Sequence, residues 1–351
     1  MVNLSIKKTI VPAMGLLLAL LIVIGASGCS TKASTAQPAA TSKLVTAAPA
    51  ATSTAASVLP QMGPGGPGGG GSFAAVAPTY SDLAYATVSA PQKLDLYIPT
   101  AGSGPFPVVV MVHGGGFMMG DKSDGAGLAG VDQLLAAGYA VASINYRLSA
   151  EAKYPAQIND AKAAVRFLRA NATKYNLSTD RFGAWGASAG GSLVSLLGTT
   201  CGVGDLEGVE LGNADQSSCV QAVVDWFGPI DFLKMDEQFA GTSCPANHND
   251  ASSPESQLVG APIQSVPDLV KTTNPMNYIT AKAAPFLIQN GSADCNIPPI
   301  QGKNLADALS AVIGADKVTY TLIDGAGHGG ALFSTDANLK LVIVFLDNYL
   351  K

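Results

Sequence analysis

A run without a single polar side chain, PVVVMV at Pro107 to Val112, ends abruptly in His113 and three glycines. Such a run reads as a central strand buried on both faces, which commits the fold to covering layers above and below its sheet. The chain after it repeats the theme. LDLYIPT from Leu94 alternates with period two and reads as a partly exposed strand, and YAVASINYRL from Tyr139 reads as a further strand. The stretch from Ala156 to Tyr175 has helical spacing through Ile158, Ala161, Val165, Phe167, Leu168 and Ala172. RFGAWGAS with AGGSLVSLLG, VQAVVDWFG from Val220, and APFLIQNG with a helix from Lys303 to Val312 continue the alternation, and VTYTLIDGAG from Val318 with a helix from Asn338 to Tyr349 closes it. Strand then helix, repeated, predicts an α/β fold with a mostly parallel central sheet, helices on both faces and a single domain. In open sheets of this kind the functional crevice lies beyond the carboxyl ends of the strands, where every polar motif below falls.

A chain of 351 residues is long enough for one large core. Its formal net charge of −5, with only 13% charged residues and no basic run past the N-terminus, argues against a nucleic-acid partner. Lys7 and Lys8 precede an apolar stretch from Ile10 to Ile24, then the small residues Gly25 to Gly28, then Cys29. That pattern predicts an export signal over 1–29, because the apolar stretch is shorter than the roughly 20 residues a transmembrane helix needs. ASGC is similar to the bacterial lipobox, with Ala26 where that motif usually has leucine, and the likeness implies lipidation of Cys29. Residues 30–72 are almost all Ala, Thr, Ser, Pro, Gln and Gly, which reads as a flexible tether too poor in bulky apolar groups to offset ordering entropy. The expected organisation is therefore signal (1–29), tether (30–72) and folded domain (73–351). The expected address is the bacterial cell envelope, at the periplasmic face or cell surface, with the membrane touched through the lipid anchor alone.

Three loops carry chemistry. Gly186 to Gly190 matches G-x-S-x-G between a strand and a helix, the context in which a sharp turn projects the hydroxyl of Ser188 as a nucleophile. HGGGF at His113 to Phe117 follows the apolar strand, and glycines there let backbone N–H groups approach a developing oxyanion. Gly115, Gly116 and Ala189 are the expected hole, with His113 fixing the loop. A serine hydroxyl needs a base, and the chain has three histidines. His248 lies in the polar stretch CPANHND, whereas His328 lies in GAGHGG between the last strand and the last helix, and is the expected base. For the acid that orients it, Asp294 and Asp231 both follow strands, and chain order does not separate them; Asp324 sits too close to His328 in sequence and reads as a turn residue. Phe117, Met118, Trp226 and Phe227 are placed to line an apolar subsite or to be plain core and rim.

Residues from about Leu94 to Lys351 resemble the α/β-hydrolase fold, and HGGGF with GASAGG resembles the hormone-sensitive-lipase-like bacterial esterases. YRLSAEAKYPAQINDAKAAVRFLRANA, VVDWFGPIDF, SPESQLVGAPI and GSADCNIPP are more closely similar to the bifunctional feruloyl and acetyl-xylan esterase group. The resemblance implies a serine carboxylesterase with Ser188 as nucleophile. It also implies Asp294, from the G-x-x-D-x-x-x-P loop, as acid and His328 as base. No cofactor or metal is implied, and the substrate would be a small-molecule or polysaccharide-linked ester. Where lipase-like relatives often carry a helical cap before the sheet, this chain has the tether, which implies a more open site. An amidase or exopeptidase could use the same constellation, and a noncatalytic binding module would normally have lost one of its members.

Four cysteines follow Cys29, an even number that favours two disulfides in an exported chain. Of the three pairings, Cys201 with Cys219 and Cys244 with Cys295 is preferred, because the first pair brackets a glycine-rich excursion. The second would tie the segment after WFGPIDF to the loop of Asp294. No spacing typical of a metal site is present.

Overall fold

The computed structural model describes residues 76–124 and 128–351. The expected signal, Cys29 and the tether lie outside the described residues. Among those described, eight strands form one sheet: β1 (Tyr80–Ala84), β2 (Lys93–Tyr97), β3 (Phe106–Val112), β4 (Ala140–Ile144), β5 (Leu177–Ala187), β6 (Ala222–Trp226), β7 (Phe286–Gly291) and β8 (Val318–Ile323). Their spatial order is β1-β2-β4-β3-β5-β6-β7-β8. β1 and β2 pair antiparallel, as do β2 and β4, and all later pairs are parallel. The helices in chain order are α1 (Val131–Ala136), α2 (Ala156–Ala170), α3 (Ala172–Tyr175), α4 (Ala189–Thr199), α5 (Met235–Phe239), α6 (Pro254–Val259), α7 (Pro267–Lys271), α8 (Ile300–Ile313) and α9 (Asp336–Leu350).

The apolar run at Pro107 to Val112 lies in β3, and all seven residues of that strand are buried. Successive side chains of a strand point to opposite faces, so one run serves two cores. Val108, Val110 and Val112 pack with Ile158 and Val165 of α2, Leu193 and Leu197 of α4, and Leu305 of α8. Val109 and Met111 pack on the other face with Leu134 of α1 and Leu339, Val342 and Leu346 of α9. Each such side chain contributes about 1.5–3 kcal/mol by leaving water. β3 also lies where the connectivity changes direction, since the chain leaves it for β4 on one side and returns to β5 on the other. The crevice beyond β3 and β5 is therefore the topological switch point, where such sheets place their ligands.

Two expectations need correction, and two elements are new. LDLYIPT is not partly exposed: β2 is buried over Leu94–Tyr97, because β1 covers its outer edge and Lys122 reaches Asp95 at 2.9 Å. The long helix expected over 156–175 breaks at Asn171, whose side-chain amide and backbone N–H both donate to the Phe167 carbonyl. An asparagine amide competing for that carbonyl ends the regular helix, and α3 is a separate turn. α1 and β1 were not anticipated, being only six and five residues long.

α2 carries three cations, Lys162, Arg166 and Arg169, on one face and all buried. Lys162 donates to the Thr200 carbonyl and Glu207, and Arg169 to the carbonyls of Thr179, Ser217 and Cys219. Arg166 donates to the carbonyls of Glu207 (2.6 Å), Gly208 (2.8 Å) and Gly212 (3.1 Å). Together they pin the glycine-rich excursion that the Cys201–Cys219 disulfide closes. Arg166→Met should strand three carbonyls and cost about 3 kcal/mol. Urea titration should show a lower midpoint, with new proteolytic cleavage between 201 and 219; an unchanged midpoint would refute this role.

Candidate active site

Ser188 stands between β5 and α4 with φ 56° and ψ −124°, a left-handed turn that a serine adopts only under constraint. Its N–H donates to the Trp226 carbonyl at 2.9 Å, and its carbonyl accepts from Ser192 N–H at 3.1 Å. The flanking glycines are there for space. A Cβ on Gly190 would lie 2.0 Å from the Val112 carbonyl oxygen, and one on Gly186 would lie 2.2 Å from that of Gly190. Only without those side chains can α4 start tight against the end of β3.

His328, on the loop between β8 and α9, brings Nε2 to 2.9 Å from Ser188 Oγ. Its Nδ1 is 2.8 Å from Asp294 Oδ2. The other carboxylate oxygen of Asp294 accepts from the N–H groups of Asn296 (2.8 Å) and Ile297 (2.9 Å), which fixes its orientation. Asp231 is elsewhere: its N–H and carbonyl both bond to the Gln301 side chain, and burial pushes its half-buried carboxyl up, partly offset by the Leu233 N–H and Lys234. Asp324 sits by Ser292 at 3.3 Å. The residues Ser188, His328 and Asp294 are thus one hydrogen-bonded series, and neither rival carboxylate touches it.

The HGGGF loop lies beside Ser188. Gly115 has φ 104° and Gly116 φ 61°, and a Cβ on Gly115 would lie 2.1 Å from the Met119 carbonyl oxygen. Among the described residues, the backbone N–H groups of Gly115, Gly116 and Ala189 have no protein acceptor. His113 holds the loop, with Nδ1 2.7 Å from the Gly114 carbonyl and its ring stacked on Tyr146 at 4.4 Å. Burial lowers its pKa, so the neutral ring donating through Nδ1 is the form that fits. Of the four apolar candidates, Phe117 and Trp226 are core, Met118 is exposed rim, and Phe227 meets the His328 ring edge-on at 4.7 Å. A disulfide joins Cys244 to Cys295, next to Asp294.

Residues 94–309 match the BD-FAE family. The chain belongs to that family. The resemblance carried by HGGGF, GASAGG and GSADCNIPP is borne out, as is the α/β-hydrolase fold. A truncated carbohydrate esterase from gut microbiota is 35% identical with a TM-score of 0.69, covering 77% of this chain and 95% of that one. A bifunctional GH43-CE protein of Bacteroides eggerthii is 37% identical with the same TM-score, 77% of this chain aligning with 35% of that one. Esterase LipC of Mycobacterium tuberculosis is 32% identical over 225 residues, 64% of this chain and 53% of LipC. The chain spans about half the length of the curated relatives it matches.

One buried charge of this BD-FAE chain went unread in the sequence, although Asp225 interrupts an otherwise apolar strand in VQAVVDWFG. Its carboxylate accepts from Ser195 Oγ at 2.8 Å and Gly228 N–H at 2.9 Å, behind the helix that Ser188 starts. Burial pushes its pKa up to about 6 against those two bonds, with no charged group among the causes. A carboxyl with a raised pKa keeps in the folded state a proton that the unfolded chain releases. Its contribution to stability therefore falls as pH rises from about 4 through 6, by roughly 3 kcal/mol. Asp225→Asn can keep both contacts, its Oδ1 accepting from Gly228 N–H and its amide donating to Ser195 Oγ, and removes the charge. Melting curves should show the variant more stable than wild type at pH 8 and level with it near pH 4; a variant less stable at pH 8 would contradict the assignment.

Proposed function

We propose that this chain is a serine carboxylesterase. The observation that carries the reading is the series of bonds at 2.8 and 2.9 Å from Asp294 through His328 to Ser188. Ser188 Oγ attacks the ester carbonyl carbon while His328 Nε2 accepts the hydroxyl proton, and Asp294 holds the ring and stabilises the imidazolium. The carbonyl oxygen takes up negative charge opposite the free N–H groups of Gly115, Gly116 and Ala189, the last at the start of α4, where the helix dipole also favours an anion. His328 returns the proton to the leaving alcohol, and water attacks the acyl-serine by the same route reversed. Water is the co-substrate and no cofactor enters.

Acetyl or feruloyl esters on plant polysaccharide are the proposed substrates. That choice is supported by the carbohydrate esterase and GH43-CE relatives and by the exposed Met118, Met119 and Leu332 around the loops of the site. The N-terminal pattern supports export and anchoring through Cys29, with 30–72 as the spacer that lets a surface-held enzyme reach a polymer.

Acetylated xylan, a feruloyl ester, p-nitrophenyl esters of rising chain length and a matched anilide form the deciding panel. Ester turnover well above anilide turnover is the expected result, and the reverse would make the chain an amidase. Ser188→Ala should abolish turnover with the fold intact. Asp294→Asn should lower it on the order of 10⁴-fold by favouring the wrong tautomer of His328, and Asp231→Asn far less. The opposite ranking would move the acid to Asp231.

A further inference from the structure

The segment between β6 and β7 carries the third histidine, whose polar surroundings in the sequence gave no hint of its place. His248 is buried, with Nδ1 3.1 Å from Glu255 Oε2 and Nε2 3.0 Å from the Asn296 carbonyl. Glu255 is buried too. With a carboxylate on one nitrogen and a carbonyl on the other, both bonds are made together when each ring nitrogen carries hydrogen. The peptide group between Asn296 and Ile297 is the link to the catalytic series: its carbonyl, that of Asn296, is held by His248, and its N–H, that of Ile297, donates to Asp294 Oδ1 at 2.9 Å, beside the Asn296 N–H at 2.8 Å. Glu255 follows Pro254 at the start of α6, and Pro254 lies against the other half of the site. A Cβ on Gly116 would come within 3.2 Å of Pro254 Cβ and Cγ.

We propose that His248 and Glu255 are positioning residues for the esterase reaction: through α6 they hold the loop of Asp294 and the loop of Gly116 in one fixed relation. The inference rests on the esterase reading above. Neither side chain touches the Ser188–His328–Asp294 series directly; they act through the Asn296 peptide and Pro254. The Cys244–Cys295 disulfide fastens the same loop one residue from Asp294, so the loop has two independent ties. A displacement of the order of 1 Å in such a constellation costs roughly 10²-fold in rate, which is why a remote tie can matter to turnover.

The groups facing His248 are Glu255 from α6, Asp236 from α5, the Asn296 carbonyl from the acid loop, and the Phe239 ring at 6.1 Å. Asp236 accepts the backbone N–H groups of His248 and Asn249. Burial opposes the charge on His248, but the Glu255 bond and charge, then Asp236 and the Asn296 carbonyl, outweigh it and raise its pKa. A histidine raised in this way gives its full contribution below its ordinary value near 6.5 and loses it as pH rises through the higher one. The tie therefore weakens on the alkaline side.

The test uses the full chain with p-nitrophenyl acetate, measuring kcat and KM from pH 5 to 10 for wild type, His248→Ala, His248→Gln and Glu255→Gln, with Ser188→Ala as blank. His248→Ala should lower kcat about ten- to a hundredfold with KM within about twofold, since the ester itself is not touched. His248→Gln, which can still donate to the Asn296 carbonyl, should recover part of that loss. Glu255→Gln keeps volume and hydrogen-bonding capacity and so guards against a variant that does not fold; it should move the alkaline fall in kcat to lower pH. A folded His248→Ala with wild-type kcat overturns the proposal. So does a Glu255→Gln profile that superposes on wild type, which would leave the pair a stabilising contact only. A wild type no faster than Ser188→Ala on any ester would instead sink the esterase reading, and the positioning role with it.

Discussion

The backbone of Ser188 is the constraint to which the surrounding structure answers. Its φ of 56° places an L-residue in a region that costs about 1–3 kcal/mol, and a turn so disfavoured persists only when neighbours over-determine it. Here the Trp226 carbonyl takes its N–H, the first turn of α4 takes its carbonyl, and Gly190 rests on the Val112 carbonyl where no side chain would fit. Each of those partners is itself immobilised. Val112 and Trp226 belong to strands buried on both faces, so the strain is held by the full thickness of the sheet. A looser core would let the turn relax, and the hydroxyl would leave His328.

The other members of the site arrive by the same route. His113 to Phe117 follow β3, Ser188 follows β5, Asp294 follows β7 and His328 follows β8, so four chain segments far apart in sequence converge at one end of a parallel sheet. The buried charges are distributed in keeping with this. Arg147 with Asp160 at 2.8 Å and Lys122 with Asp95 at 2.9 Å are paired. Asp225, behind the helix that Ser188 starts, is held by two neutral donors instead, and its raised pKa reflects that imbalance.

Most of the frame was legible because its signals are local. β3 is an apolar run closed by glycines, the buried ends of β5 and β7 also run into glycines, and the helices from Lys303 and Asn338 show their period and extend by two or three residues at the N-terminus and one at the C-terminus in the structure. The motif loops could be placed because each follows a strand. What could not be read depends on contacts between distant segments. The burial of β2 needs Lys122, 27 residues further on, and the cations of α2 look like an ordinary solvated face until the excursion at 201–219 folds over them. Asp294 and Asp231 are equivalent in chain order, and the distinction came from resemblance; the structure separates them by contact, Asp294 reaching His328 and Asp231 bonding to Gln301. His248 lies in a polar stretch with no periodicity of its own, and the role proposed for it lies in what folds around it. The S-P-E at Ser253 to Glu255, a capping serine with proline at the helix start, was the local sign that an ordered element stood there.

The proposed reaction stands on Ser188 Oγ as a nucleophile activated through His328. Mass spectrometry of the intact chain and its peptides after treatment with a fluorophosphonate tests it without reference to any natural substrate. A single adduct is expected, on the peptide containing Ser188, formed quickly in wild type and far more slowly in His328→Ala. An unmodified chain, a label on another residue, or equal labelling with and without His328 would contradict it.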